Sequence, residues 1–152
     1  MSDPMPAPMS DSVADGPPPL GPLQLVMIPS RDTERSIAFY RSLGFEARNE
    51  GPWGDGHRWV ELYPAGRSTG VALVPPSDDE AVPGPTGIIV HTDDVDATRA
   101  WLADHGFDVD AAVAGDGADV PISLGAVRLS DPSPPMFWLR DPDGNGILVI
   151  QP

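Results

Sequence analysis

The first element that the sequence predicts is a short apolar run followed by an amphipathic segment. Residues 23–28 read LQLVMI, and such a run between turn residues is typical of a buried strand. Asp32 then stands where a helix N-cap belongs, and apolar residues recur at helical spacing from Ile37 to Leu43, just before Gly44. A helix that begins with an acidic cap and ends at glycine is therefore predicted, with about three turns.

Three further strands are predicted after this helix. Phe45 opens the first of them, and residues 59–63 and 70–74 form the other two, separated by the turn at 64–66. The order along the chain is strand, helix, strand, strand, strand.

The same order recurs 62 residues further along the chain. The matched pairs are Ile28 and Val90, Asp32 and Asp94, Phe39 and Trp101, Tyr40 and Leu102, Gly44 and Gly106, Phe45 and Phe107, and Glu46 and Asp108. This repeat predicts a second strand at 87–91 and a second helix from Val95 to His105, with Trp101 in the core. An insert rich in Gly, Asp and Pro follows at 114–135.

The chain after the insert completes the second unit. A strand is predicted at 136–139, a tight turn at 141–146 and a last strand at 147–151, because Asp-Pro-Asp-Gly-Asn is strong turn chemistry. The Asp141 and Asp143 carboxylates are explained by that turn. The resulting fold class is α+β, with two βαβββ modules that form a curved mixed sheet or partial barrel around a cup, the helices lying outside.

The domain organisation follows from this pattern. Residues 1–22 are rich in Pro and Asp and show no apolar period, so we expect a disordered tail. The domain is predicted at 23–152, with module one at 23–76 and module two at 86–151.

The composition of the chain excludes several classes of binding partner. The 152 residues include 23 acidic and 9 basic residues, a net charge of −14, with no Cys and no Lys. This charge argues against nucleic acid and anionic membranes as partners, and it suits a cationic small molecule. The chain shows no signal peptide and no membrane-spanning run, so we expect a cytoplasmic protein.

Three motifs resemble the vicinal oxygen chelate superfamily, which includes glyoxalase I, bleomycin-resistance proteins and extradiol dioxygenases. They are Asp32-x-x-x-Ser36-Ile37-x-Phe39-Tyr40-Arg41-x-Leu43-Gly44-Phe45, Asp93-Asp94-Val95-Asp96-Ala97 and Asp141-Pro142-Asp143-Gly144-Asn145. The resemblance implies a cup that, in the enzymes, holds one divalent metal on His, Gln or Glu from the first and a late strand of each module. It also implies a homodimer.

The corresponding ligand positions of this chain are Leu25, Glu61, Gly87 and Leu148. Only Glu61 can bind a metal, and Gln24, one residue away from the first position, is expected to point toward the helices. The prediction is therefore a member without metal or other cofactor. The alternative is a metal-dependent lyase, isomerase or dioxygenase with one divalent metal, its ligands being Glu61 with His91 or Gln151.

Strand alternation assigns the remaining residues of the cup. The expected ligand-binding residues are Trp53, His57, Trp59, Glu61, Tyr63, His91 and Trp138, with the orientation of Trp138 left open. Aromatic rings and one carboxylate suit a small organic, cationic aromatic ligand, which bleomycin-resistance proteins sequester without chemistry. Two other hypotheses are an enzyme without metal, with Glu61 or His57 as general base, and an interaction module that acts through the Pro-rich tail.

Overall fold

The computed structural model describes residues 16, 18–54, 56–77 and 84–152. Most of the predicted tail at 1–22 lies outside these residues. The elements of module one are β1 (Leu25–Pro29), α1 (Thr33–Ser42), β2 (Phe45–Trp53), β3 (His57–Pro64) and β4 (Gly70–Val74). Those of module two are β5 (Pro85–His91), α2 (Val95–Asp104), β6 (Asp108–Val109), β7 (Ile122–Leu124), β8 (Val127–Leu129), β9 (Met136–Arg140) and β10 (Gly146–Ile150).

The two helices begin and end in the same way. The Asp32 carboxylate accepts a hydrogen bond from the Arg35 backbone N–H at 3.0 Å, and that of Asp94 accepts one from the Ala97 N–H at 2.9 Å. Past the ends of the helices, Gly44 and Gly106 have φ values of 93° and 83°, which side-chain-bearing residues rarely adopt. The predicted helices and their repeat are confirmed.

Each module forms an open four-stranded mixed sheet. Sheet one has the order β1-β4-β3-β2, and sheet two has the order β5-β10-β9-β6. The first strand of each module pairs in parallel with the last strand of that module, and the remaining pairs are antiparallel. The predicted α+β class with two repeated modules is confirmed.

The main core joins the two modules. It contains buried residues of β1, α1, β3 and β4 together with Ile147 from β10. A second cluster packs α2 against β9 and β10 and touches Phe39 of α1 and Leu43, the residue after that helix. Each helix therefore covers one face of its own sheet and also contacts the other module.

A polar network fastens α1 to the turn between β9 and β10. The Tyr40 hydroxyl donates to Asp141 at 2.9 Å, and the Asp143 carboxylate accepts from the Arg35 guanidinium at 3.1 Å and from the Ser36 hydroxyl at 3.3 Å. The turn is where the sequence predicts it. Its carboxylates, however, also connect the modules, which the turn alone does not explain.

The insert forms a short hairpin, β7–β8, over the face of sheet two that α2 does not cover. Ile122 packs there with Ala114, Met136 and Leu148, and Trp138 lies beside them. All members of this cluster come from module two, so the insert gives that face its own cover.

Trp101 lies at the surface of α2, and its predicted place in the core is wrong. Half of its side chain is exposed, with an accessible fraction of 50%. Its ring stacks on His105 at a centroid distance of 3.8 Å, while Phe107 makes the contact with Phe39 at 5.6 Å. Phe107 thus fills the inner position that was expected for Trp101.

The helices of the described residues are short. None of them has the length and apolar character needed to cross a membrane.

Candidate functional site

A polar and aromatic cluster occupies the face of sheet one that α1 does not cover. Val60 and Leu62 of β3 point into the core with α1, so the alternating residues Trp59, Glu61 and Tyr63 lie on the opposite side. We call this surface the Glu61 face. It comprises Trp53, His57, Trp59, Glu61 and Tyr63, with Asn49 beside them.

Three neutral donors hold the carboxylate of Glu61. Its Oε1 accepts from the Trp59 indole N–H at 2.7 Å and from the Asn49 amide at 3.1 Å. Its Oε2 accepts from the Tyr63 hydroxyl at 2.8 Å. The residue is only 7% exposed because these neighbours cover it.

This arrangement favours the ionised form of Glu61. The hydrogen bond from Trp59 is the main cause that holds the pKa of the carboxyl below its ordinary value, and the bonds from Tyr63 and Asn49 act in the same direction. Partial burial opposes them. A carboxylate whose negative charge is stabilised in this way is a weak proton acceptor and a good partner for a cation.

Aromatic rings extend the Glu61 face toward the tip of the β2–β3 hairpin. Trp53 contacts Trp59 edge-on, with ring centroids 5.6 Å apart and planes at 89°. The His57 ring lies 5.9 Å from that of Trp53. Trp53 is 40% exposed, so part of this aromatic wall is available to a ligand.

Tyr63 is fixed from several directions. The Arg48 guanidinium lies 4.7 Å from the centroid of its ring, and a Cβ at Gly70 would lie 2.7 Å from its Cδ1. Its hydroxyl accepts from the Gln24 side chain at 3.4 Å. The hydroxyl of Tyr63 is therefore positioned to orient Glu61, and its ring already has the Arg48 guanidinium as a cation–π partner.

The sequence pattern gives no signal for two residues of this site and misplaces a third. Asn49 and Arg48 lie at a bulge in the β2–β3 pairing, between Ala47 and Asn49, where simple alternation fails. Gln24, predicted to point toward the helices, reaches Tyr63 instead. It precedes the first residue of β1, so the alternation of that strand does not determine its direction.

His91 and Trp138 lie elsewhere in module two. Trp138 donates from its indole N–H to the Ser123 carbonyl at 3.0 Å under the β7–β8 hairpin. His91 is exposed at the end of β5 and lines a cavity next to Val90 and Thr92. Of the seven predicted ligand-binding residues, the structure thus brings together the five from β2 and β3.

Of the four positions at which the family resemblance implies metal ligands, only Glu61 carries a ligating side chain. Leu25, Gly87 and Leu148 carry no ligating side-chain atom, and the Glu61 carboxylate already accepts three hydrogen bonds. Gln151 accepts from the Val95 backbone N–H at 2.8 Å. Across the described residues, no three His, Asp or Glu side chains gather into a possible metal site.

Comparison with known proteins places the fold in a family. Residues 23–149 match the Glyoxalase/Bleomycin resistance protein/Dioxygenase superfamily. None of the curated proteins matches the chain.

Several solved structures are similar to the chain over most of its length. TnmS3, an antibiotic binding protein from Streptomyces sp. CB03234, is 30% identical, with a TM-score of 0.61 over 88% of this chain and 97% of TnmS3. A superfamily member from Sphaerobacter thermophilus is 25% identical, with a TM-score of 0.66 over 88% and 98%. Glyoxalase I from Leishmania major, at 23% identity and a TM-score of 0.58 over 87% of both chains, shares the fold. The resemblance seen in the sequence motifs is confirmed, and the chain belongs to the glyoxalase/bleomycin resistance protein/dioxygenase superfamily.

Proposed function

We propose that this protein binds a cationic, planar organic molecule at the Glu61 face and holds it without chemical change. The main support for the proposal is the environment of the Glu61 carboxylate. Its carboxylate is covered and kept ionised by neutral donors alone, and no ion pair between described residues includes it. A covered negative charge without an internal cation is a recognition element for an external one.

The aromatic wall supports the same class of ligand. Trp53 and Trp59 present indole rings beside the carboxylate, and His57 adds a third ring at the hairpin tip. Indole faces attract both planar aromatic groups and cations. The net charge of −14 adds a long-range attraction for positively charged molecules.

Binding is favoured over catalysis by the character of the two candidate bases. Glu61 has a lowered pKa, which weakens it as a proton acceptor. His57 lies four residues away along β3, a separation of roughly 13 Å along an extended strand. The two groups therefore do not act on one proton.

A similar protein of known structure supports the same kind of function. TnmS3, which is 30% identical, is described as an antibiotic binding protein. A protein that sequesters an antibiotic needs affinity and no reaction, and the Glu61 face offers binding groups of that kind.

We further propose that the protein acts as a homodimer in which a second copy covers the Glu61 face. Met27 on β1 and Ile89 on β5 are 67% and 57% exposed, and each lies on an edge strand of its sheet. Exposed apolar side chains on the edge strands of a sheet mark a surface for association. The β7–β8 hairpin fills the corresponding face of its own module, so a second molecule is the natural cover for the open one.

The main experiment is calorimetric titration with two tricyclic probes at neutral pH, proflavine as the cation and acridine as its neutral counterpart. Glu61→Gln removes one negative charge in the site, and Asp104→Asn removes one on the exposed end of α2. We expect Glu61→Gln to weaken proflavine binding by about tenfold or more and to change acridine binding little. Equal effects of the two variants on proflavine would contradict the proposal.

The enzyme alternative is tested by metal content. Protein prepared without a histidine tag is analysed by mass spectrometry for bound metal before any chelator is added. We expect far less than one divalent ion per chain, and proflavine binding unchanged by EDTA. About one ion per chain would instead favour the metal-dependent enzyme.

A further inference from the structure

A cavity that is separate from the Glu61 face lies where the two modules meet. It has a volume of about 590 Å³, within the range of small-molecule sites. Leu43, directly after α1, and Thr98 of α2 line it from opposite modules, and Val90 and Val149 line it from sheet two. Such a volume is far larger than the voids of a close-packed interior.

No carboxylate or guanidinium group of the described residues lines this cavity. Within the part of the chain that the structure describes, the nitrogen-bearing rings of its lining belong to His91 and Trp101. In a chain with a net charge of −14, a surface of this extent without carboxylate or guanidinium groups favours neutral ligands over ionic ones.

The hydroxyl groups that line the cavity already have partners. Tyr40 donates to Asp141 at 2.9 Å, Ser42 donates to the Phe39 carbonyl, and the Thr92 and Thr98 hydroxyls bond to each other at 2.6 Å. An incoming molecule therefore meets satisfied hydroxyls and aliphatic carbon. A ligand that needs many hydrogen bonds would lose those it makes with water.

Trp101 supplies the specific surface of the site. It lines the cavity while half of its side chain remains exposed, so it stands at the mouth. Its stacking on His105, with planes 18° apart, holds the indole in place. A fixed aromatic ring beside an apolar cavity favours a flat, apolar guest.

We propose that this cavity is a second binding site, which takes a neutral, predominantly apolar aromatic molecule. It differs from the Glu61 face in location and in charge preference. The proposal does not depend on the function proposed for that face.

The probe is N-phenyl-1-naphthylamine, a neutral dye whose emission rises in apolar surroundings, titrated into the full-length protein. Ala97 lines the cavity on α2 with an exposed side chain, and Ala97→Phe places a ring in the opening. Ala103→Phe is the matched control, because Ala103 is also exposed on α2 and does not line the cavity. We expect saturable binding at one site per chain, weakened about tenfold or more by Ala97→Phe and unchanged by Ala103→Phe.

One further variant and one further probe separate this site from the Glu61 face. Glu61→Gln is expected to leave dye binding unchanged, and proflavine is expected not to displace the dye. These results stand whether or not proflavine binds through Glu61. Loss of dye binding in Glu61→Gln would place the dye at the Glu61 face. Displacement by proflavine would show that the site of the dye also admits a cation. Either result would overturn the proposal.

Two other outcomes would also overturn it. Equal affinities of Ala97→Phe and Ala103→Phe would show that the dye binds outside the cavity. Absence of saturable binding in the unaltered protein would show that the cavity does not take a molecule of this kind.

Discussion

At Gly70, a backbone carbonyl and an aromatic ring occupy the space in which any other residue would place its Cβ. That atom would lie 2.4 Å from the Leu62 carbonyl oxygen and 2.7 Å from Cδ1 of Tyr63. The absence of a side chain thus lets the Tyr63 ring settle where its hydroxyl reaches Glu61.

We expect Gly70→Ala to destabilise the protein by about 1–3 kcal/mol, because strands β3 and β4 must separate or the ring must move. Gly51→Ala is the matched control on β2, since nothing lies within 4 Å of a Cβ there. Urea denaturation measures both. Equal stability of the two variants would contradict the packing role of Gly70.

Glu61 gives the protein a defined pH response. Its neighbours lower the pKa of the carboxyl in the folded state, so the folded state favours the anion. The associated stabilisation is fully present above the ordinary carboxyl pKa of about 4.3 and is lost as the pH falls through the lower folded value.

Proflavine affinity is therefore expected to stay constant from pH 7 to about pH 5 and to decline only below about pH 4.3. Fluorescence titration in dilute solution across this range measures it, and Glu61→Gln should remove the decline. A decline that begins well above pH 5, or one that persists in Glu61→Gln, would contradict the assignment of the response to Glu61.

At the scale of elements, the contact between α1 and the β9–β10 turn connects the modules. Tyr40 is fully buried, and burial together with Asp141 strongly raises the pKa of its hydroxyl, which stays protonated as a donor. Asp141 also accepts the Asn145 side-chain amide at 2.8 Å. The hydrogen bond between Tyr40 and Asp141 joins residues that are 101 positions apart in the chain.

We expect Tyr40→Phe to lower the free energy of unfolding by about 1–3 kcal/mol, because a hydrogen bond to a buried carboxylate is lost. Ser42→Ala removes an exposed hydroxyl from the same helix and should change stability by at most about 0.5 kcal/mol. Thermal and urea unfolding provide the measurement. Similar values for the two variants would show that the buried contact contributes nothing.

Elements that depend on interactions between near neighbours in the sequence can be predicted from it, whereas contacts between distant residues cannot. Caps at Asp32 and Asp94 and stops at Gly44 and Gly106 depend on residues within one turn, so the sequence shows them directly. The Tyr40–Asp141 contact has no such local signal. The β7–β8 hairpin has strands of only 3 residues each, too short for a periodic pattern.

At the scale of the whole molecule, the arrangement of the two sheets decides which side chains share a site. Alternation along β3 correctly groups Trp59, Glu61 and Tyr63, because one strand suffices for that inference. It cannot say which surface of module two faces them. His91 and Trp138 therefore lie apart from Glu61 in the single chain, although their strands are predicted correctly.

The proposed dimer is tested at this scale. We expect the unaltered protein, with a chain mass of 16.1 kDa, to sediment as a dimer. The double variant Met27→Asp, Ile89→Asp should sediment as a monomer, because it places charges on apolar side chains of the edge strands. Leu20→Asp, at a position that is 97% exposed outside any strand, should stay dimeric. An unaltered protein that is monomeric at all concentrations would contradict the dimer.

The four tryptophans lie in different regions of the protein, so the intrinsic fluorescence can report on each of these regions. Trp53 and Trp59 report on the Glu61 face, Trp101 on the mouth of the cavity between the modules, and Trp138 on the covered face of sheet two. Each indole meets a different mixture of solvent, ring and carbonyl, so their emission maxima should differ. Single Trp→Phe replacements would assign each component of the intrinsic emission to its region and follow ligand binding there without any added label.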